Sequence, residues 1–251
     1  MKRKLMSASA YSGTMSRKTP DIPSLAKILK ELESLANPNN VQGMARYGIS
    51  VKGTLGVSVY ELRKIAKRIG MNHRLAVQLW SSGIHEARIL ASMIDDARMV
   101  TESQMEDWAA DFDSWDVCDQ VCSNLFDKTT YAYSKAVEWS GRDEEFVKRA
   151  GFATMAALAV QDKDASDEAL MKFLPVIRRE STDDRNYVKK AVNWALRNIG
   201  KRNLRLNKAA IETAERIRRI DSRSARWIAA DALRELTSEA KQKRLRDKAR
   251  K

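Results

Sequence analysis

Proline and glycine are scarce in this chain, at 4 and 10 of 251 residues. Little interrupts helices, and little favours a loop-rich sandwich or barrel. Alternating β-type runs are absent as well. The two cysteines, Cys118 and Cys122, stand one helical turn apart and cannot build a disulfide framework. With only two histidines, His73 and His85, there is no zinc-site spacing. Reduced, partly buried thiols are the default reading, consistent with a reducing compartment. No apolar run approaches the ~20 residues that a bilayer crossing requires. The N-terminus starts with charge, Met1-Lys-Arg-Lys-Leu-Met, as a secretory signal does, but no adequate apolar region follows. Residues 1–19 therefore read as a disordered basic arm on a cytoplasmic protein.

What the chain does have is helix-forming residues and basic charge. It is 43% hydrophobic, enough for a continuous core, and carries a net charge of +13. Residues 201–251 hold 17 Lys/Arg against 7 Asp/Glu, whereas residues 95–127 hold ten acids and one base, Arg98. A basic excess fits phosphate binding, and it fits equally a solvated helix face with a basic tail.

Apolar residues recur at helical spacing from Leu25 onward. Asn37-Pro38-Asn39-Asn40 breaks the first helix, a short one follows at Val41–Tyr47, and a glycine-bearing loop (Gly48, Gly53, Gly56) comes next. Ser58 and Glu61 form a capping box that opens the following helix. Amphipathic segments are expected at 73–82, 84–98, 101–111, 114–126, 129–140, 144–160, 166–179, 184–199, 204–220 and 222–238. Phe146-Val-Lys-Arg-Ala150 matches Tyr187-Val-Lys-Lys-Ala191 at a spacing of 41, and Trp194-Ala-Leu-Arg197 recurs loosely as Asp231-Ala-Leu-Arg234. A period near 40 with two helices per unit predicts an all-α solenoid of HEAT or armadillo-like repeats with a concave basic face. Residues 20–238 form its single domain and 239–251 a basic C-terminal tail.

Ser114-Trp-Asp-Val-Cys-Asp119 is the most informative stretch, because Trp115 and Asp119 share one helix face a turn apart. Trp115, Asp119, Arg149 and Trp194 each fall on the inner helix of a repeat. Trp80, Trp108, Trp139 and Trp227 read as core. Taken singly, each of the four candidates also admits a structural reading, as packing, capping or surface charge.

Together with Met44-Ala-Arg-Tyr47, Leu55-Gly-Val57, Glu61-Leu-Arg63, Val147-Lys-Arg-Ala150 and Lys189-Lys-Ala-Val-Asn-Trp194, these residues give a pattern that resembles the AlkD-like DNA alkylation repair family, DNA glycosylases built from HEAT-like repeats. The resemblance runs from about Met44 to Arg202. It implies that Asp119 is the carboxylate facing the lesion, that Arg149 is the arginine beside it, and that Trp115 and Trp194 pack against the DNA backbone. Tyr47 and Arg63 match less specific DNA-facing positions. It also implies approach from the backbone side, without the deep base-flipping pocket usual for glycosylases.

The implied chemistry suits these groups. Cleaving an N-glycosidic bond builds cationic charge on the deoxyribose, which a fixed carboxylate stabilises. A purine alkylated at N3 or N7 is already cationic and leaves neutral, so one carboxylate suffices where most glycoside hydrolases need two. Arg149 is expected to hold a phosphate. The expected partner of this monomer is duplex DNA containing alkylated bases, with no membrane, cofactor or metal. The alternatives are a non-catalytic repeat module for DNA or structured RNA, and a protein-binding scaffold. The acidic stretch is expected on outer or connecting segments, with Asp116 the residue whose direction matters most.

Overall fold

In a computed structural model, residues 23–250 are described, and all regular structure among them is helical. The arm expected at 1–19 lies outside the described residues. The α-helices run α1 Leu25–Ser34, α2 Pro38–Arg46, α3 Val59–Ile69, α4 His73–Ser81, α5 His85–Ile94, α6 Glu102–Ala110, α7 Trp115–Asn124 and α8 Ala132–Ser140. There follow α9 Glu145–Gln161, α10 Asp167–Met171, α11 Phe173–Arg179, α12 Asn186–Gly200, α13 Leu204–Arg218, α14 Arg223–Leu236 and α15 Glu239–Ala249.

Most starts are set by local chemistry. Ser24, Asn37, Ser58, Asn72, Thr101, Ser166, Asn203 and Ser222 each accept a hydrogen bond from a first-turn backbone N–H. The Asn37-Pro38 pair that breaks α1 also starts α2, since Asn37 caps it and Pro38 occupies its first turn. The helix therefore begins three residues earlier than the apolar spacing suggests.

Helices pair and stack. Successive inner helices α3, α5, α7, α9, α12 and α14 pack on one another, while α4, α8 and α13 back α5, α9 and α14. The 41-residue repeat places Phe146 of α9 and Tyr187 of α12 with ring centroids 5.5 Å apart. Trp80, Trp108 and Trp139 are buried as expected, with Trp80 and Trp108 stacked at 4.1 Å. Trp227 is not core: it is 42% exposed on α14, with Lys189 Nζ 5.8 Å from its ring.

The segment set apart as a basic tail forms α15. Leu245 is buried, and Gln242 Nε2 donates to Asn207 Oδ1 at 2.9 Å and Leu236 O at 2.6 Å.

Much of the acidic stretch is absorbed on α6 and the turns beside it, whereas Asp116 and Asp119 lie on the inner helix α7. Lys135 pairs with Glu102 at 2.8 Å and Glu106 at 2.7 Å, Trp80 Nε1 donates to Asp111 Oδ2 at 2.8 Å, and Asp95 accepts from Gln104 at 2.7 Å.

The loop between α2 and α3 is fixed by one buried carboxylate. Glu86 accepts from the backbone N–H groups of Leu55 (2.9 Å), Gly56 (2.6 Å) and Val57 (3.2 Å). Gly56 has φ +79, and a Cβ there would lie 2.3 Å from Asn37 O, so a side chain is excluded. Hydrogen bonds to a charged acceptor contribute ~1.5–3 kcal/mol each and are not additive. Glu86→Ala is expected to lower Tm by about 5–10 °C for a chain of this size. A thermal melt checks this, and an unchanged Tm contradicts the clamp.

Candidate nucleic-acid interface

Helix α7 has two faces with different work. Cys118 and Cys122 point into the core, and their thiols donate to Phe146 O and Ala150 O of α9, both at 3.6 Å. Burial pushes the Cys118 thiol far up, so it is inert at neutral pH. The opposite face carries Trp115, Asp116, Asp119, Gln120 and Ser123 into an open cleft of ≈ 750 Å³. Trp194 of α12 completes its wall, and Met44, Tyr47 and Ile49 form the rim supplied by α2 and its loop.

Asp119 and Arg149 form a bidentate pair. Arg149 Nε donates to Oδ1 at 2.9 Å and Nη2 to Oδ2 at 2.7 Å. The third nitrogen, Nη1, donates to Tyr187 O at 2.6 Å. The Arg149 side chain is 7% exposed and that of Asp119 17%. Arg149 therefore does not present its fork to solvent; in this structure the fork expected to hold a phosphate holds the Asp119 carboxylate. Sequence spacing could not reveal this, because a lysine–arginine pair on a helix reads the same whether it faces water or a neighbouring acid.

Burial pushes the Asp119 carboxyl above the ordinary aspartate range, against the opposing charge and hydrogen bonds of Arg149. Both oxygens accept N–H bonds, so the pair shown is the ionised one. For Arg149, burial lowers the pKa, but the charge and hydrogen bonds of Asp119 outweigh it and the net direction is up.

Asp116 lines the same cleft but is tied down on both oxygens. Ser114 Oγ donates to Oδ1 at 2.6 Å, and His85 Nε2 lies 2.8 Å from Oδ2. Burial would raise Asp116, yet the hydrogen bond and charge of His85 bring it below the usual range. Burial would lower His85, yet Asp116 holds it above the ordinary histidine value. Asp116 is thus held by two side-chain partners and does not offer free oxygens to the cleft.

The loop after α2 is strapped across this site. Trp115 Nε1 donates to Tyr47 O at 3.0 Å, and Tyr187 Oη donates to Gly48 O at 3.1 Å. Gly48 has φ +71, and a Cβ would lie 2.0 Å from Tyr187 Oη, so only glycine fits under the strap. The Arg149 guanidinium sits 5.8 Å from the Trp115 ring. Tyr47 itself is 75% exposed.

Five of the six residues singled out by sequence thus meet at one place: Trp115, Asp119, Trp194 and Tyr47 line the cleft and Arg149 backs it. Arg63 is not among the lining residues; it is exposed on α3, one helical turn beyond Val59, which does line the cleft. Tyr187 and His85 were not singled out. Tyr187 had a signal, as the counterpart of Phe146 in the 41-residue repeat, whereas His85 had none in sequence.

Stacked helix pairs with an aromatic and acidic cleft on the inner layer define a HEAT-like repeat protein. A protein from a family related to the HEAT-like repeat DNA glycosylases, with affinity for branched DNA structures, superposes with a TM-score of 0.70 at 20% identity, covering 85% of this chain and 95% of that one. A sequence model of the DNA alkylation repair enzyme family matches residues 28–236, and the chain belongs to that family. Curated relatives include an uncharacterized protein of Listeria innocua, 23% identical over 76% of this chain and 84% of its own length. Another from Listeria monocytogenes is 27% identical over 49% of this chain and 56% of its own.

Proposed function

We propose that this protein is a monofunctional DNA glycosylase that releases cationic alkylated purines, of the 3-methyladenine and 7-methylguanine type, from duplex DNA. The observation that carries this reading is the Asp119 carboxylate, fixed by Arg149 at a cleft walled by Trp115 and Trp194. A preorganised carboxylate stabilises the cation that develops on the deoxyribose as the base departs. It can also orient the attacking water. The indoles exclude bulk water and pack against the sugar–phosphate backbone. The bonding pair leaves with the base and neutralises its positive charge as the cation passes to the sugar, so no acid need protonate it. The protein would act as a monomer in the cytoplasm, associated with the nucleoid when bound to DNA, and would require neither metal nor cofactor.

A second reading, binding of branched DNA without base release, is favoured by the affinity of the structurally similar family. Assays on a methylated duplex and on an unmethylated four-way junction separate the two. The first reading requires free methylpurine in the supernatant of the duplex reaction. The second requires junction binding tighter than duplex binding, with no base released.

A further inference from the structure

A cluster of cations outside the cleft lies where the C-terminal ends of α9 and α12 meet α15. Two adjoining hollows of ≈ 390 and ≈ 360 Å³ share Val160, Asn198, Lys201 and Lys248. Between them they are lined by six cations, Lys163, Lys201, Arg202, Lys241, Arg244 and Lys248, and by no carboxylate. Some of this charge serves the fold. Arg202 donates to Ala159 O, Lys163 O and Ala165 O at 3.0–3.2 Å, and Lys248 Nζ to Arg202 O at 2.9 Å. These contacts satisfy helix-end carbonyls without neutralising anything.

One carboxylate is in reach. Glu235 lies 3.5 Å from Lys201 and 3.8 Å from Lys241, but Arg197 Nε already holds it at 2.5 Å. Burial lowers the Lys201 pKa, and the charges of Arg197 and Lys241 lower it further against the pull of Glu235. Cations gathered this closely repel one another and gain from an arriving anion. The buried Leu245 fixes α15 on the body, so Lys241, Arg244 and Lys248 are presented at set spacing, one helical turn apart.

The shelf lies farther along the helices that carry Arg149 and Trp194. Lys201 is seven residues beyond Trp194 on α12, which is about 10 Å along the axis. Val160 is eleven residues beyond Arg149 on α9, or about 16 Å. These lengths bracket the ~12 Å major groove of B-DNA. We propose that the shelf formed by the ends of α9 and α12 and by α15 is a second phosphodiester-binding surface, gripping the backbone strand across the groove from the nucleotide at Trp115 and Trp194. The proposal rests on the duplex-DNA reading above.

The test is equilibrium binding of a labelled, undamaged duplex as salt is raised, for the full-length chain and two triple variants. Each phosphate contact contributes about 0.9 to the slope of log affinity against log salt. Lys163→Ala/Lys241→Ala/Arg244→Ala is expected to lower that slope by about 2–3 and to weaken binding at least ~tenfold near 0.1 M salt. Arg178→Ala/Lys208→Ala/Arg216→Ala, which removes the same charge from the outer helices α11 and α13, is expected to leave the slope unchanged. A further double variant that exchanges the cations, Lys241→Arg/Arg244→Lys, is expected to keep the parental slope. An unaltered slope in the shelf variant, or an equal loss in the outer-helix control, overturns the proposal. If the parent excises methylpurines while the shelf variant keeps its slope, the shelf alone falls. If the parent neither binds nor excises, the duplex-DNA reading falls and the shelf falls with it.

Discussion

Asp119→Asn is expected to slow methylpurine release by at least about a hundredfold at saturating enzyme, the usual cost of removing one preorganised group that stabilises transition-state charge. Duplex affinity should stay within a few-fold, because phosphate contacts set affinity and Asp119 makes none in this reading. The substitution also disturbs the fork: the amide nitrogen faces an Arg149 donor, and a buried arginine left without its partner costs ~3–5 kcal/mol. A melt run alongside tells loss of chemistry from loss of fold. Asp119→Glu supplies the second variant, since it keeps the charge but moves it by about one methylene. Its excision rate is expected to fall between those of the parent and Asp119→Asn. Full excision by a folded Asp119→Asn protein removes the catalytic assignment.

Arg149→Lys is expected to raise the acid limb of the pH–rate profile. The carboxyl of Asp119 already sits above the ordinary aspartate range because it is buried, and Arg149 offsets part of that shift. Lysine offers a point charge that cannot bond both carboxylate oxygens and Tyr187 O together. With less opposing charge, burial raises Asp119 further. The ionised form is the active one, so activity present at high pH is lost at a higher pH as the solution is acidified. The pH dependence of kcat/KM checks the direction, since that profile reports the groups of the free enzyme. A limb that moves to lower pH, or does not move, contradicts the role given to Arg149. If Arg149 held a phosphate instead, the substitution would weaken binding and leave the limb in place.

The helical elements were legible because their signals are local. Ser58 and Glu61 announce the start of α3, and Asn37-Pro38 marks a boundary even though its helix begins at the proline rather than after it. The 41-residue spacing of Phe146 and Tyr187 reports a stacking contact that the fold realises ring to ring. What sequence did not give are the properties that depend on what covers a face. Trp227 has the same apolar character as Trp139, yet one is exposed and the other enclosed. Lys241 to Lys248 have the composition of a loose tail, and a single apolar residue, Leu245, docks them as a helix. At the cleft, Trp115 and Asp119 share a face by periodicity alone, but the partner that consumes Arg149 comes from thirty residues away. His85 acquires its role from Asp116, 31 residues on.

The most direct measurement is single-turnover release of 7-methylguanine from a methylated duplex by the purified full-length chain at neutral pH. The account predicts free base appearing in one exponential phase, an alkali-labile abasic site in the DNA for each base released, and release by Asp119→Asn slower by at least about a hundredfold. Tight duplex binding with release no faster than the spontaneous rate would contradict it.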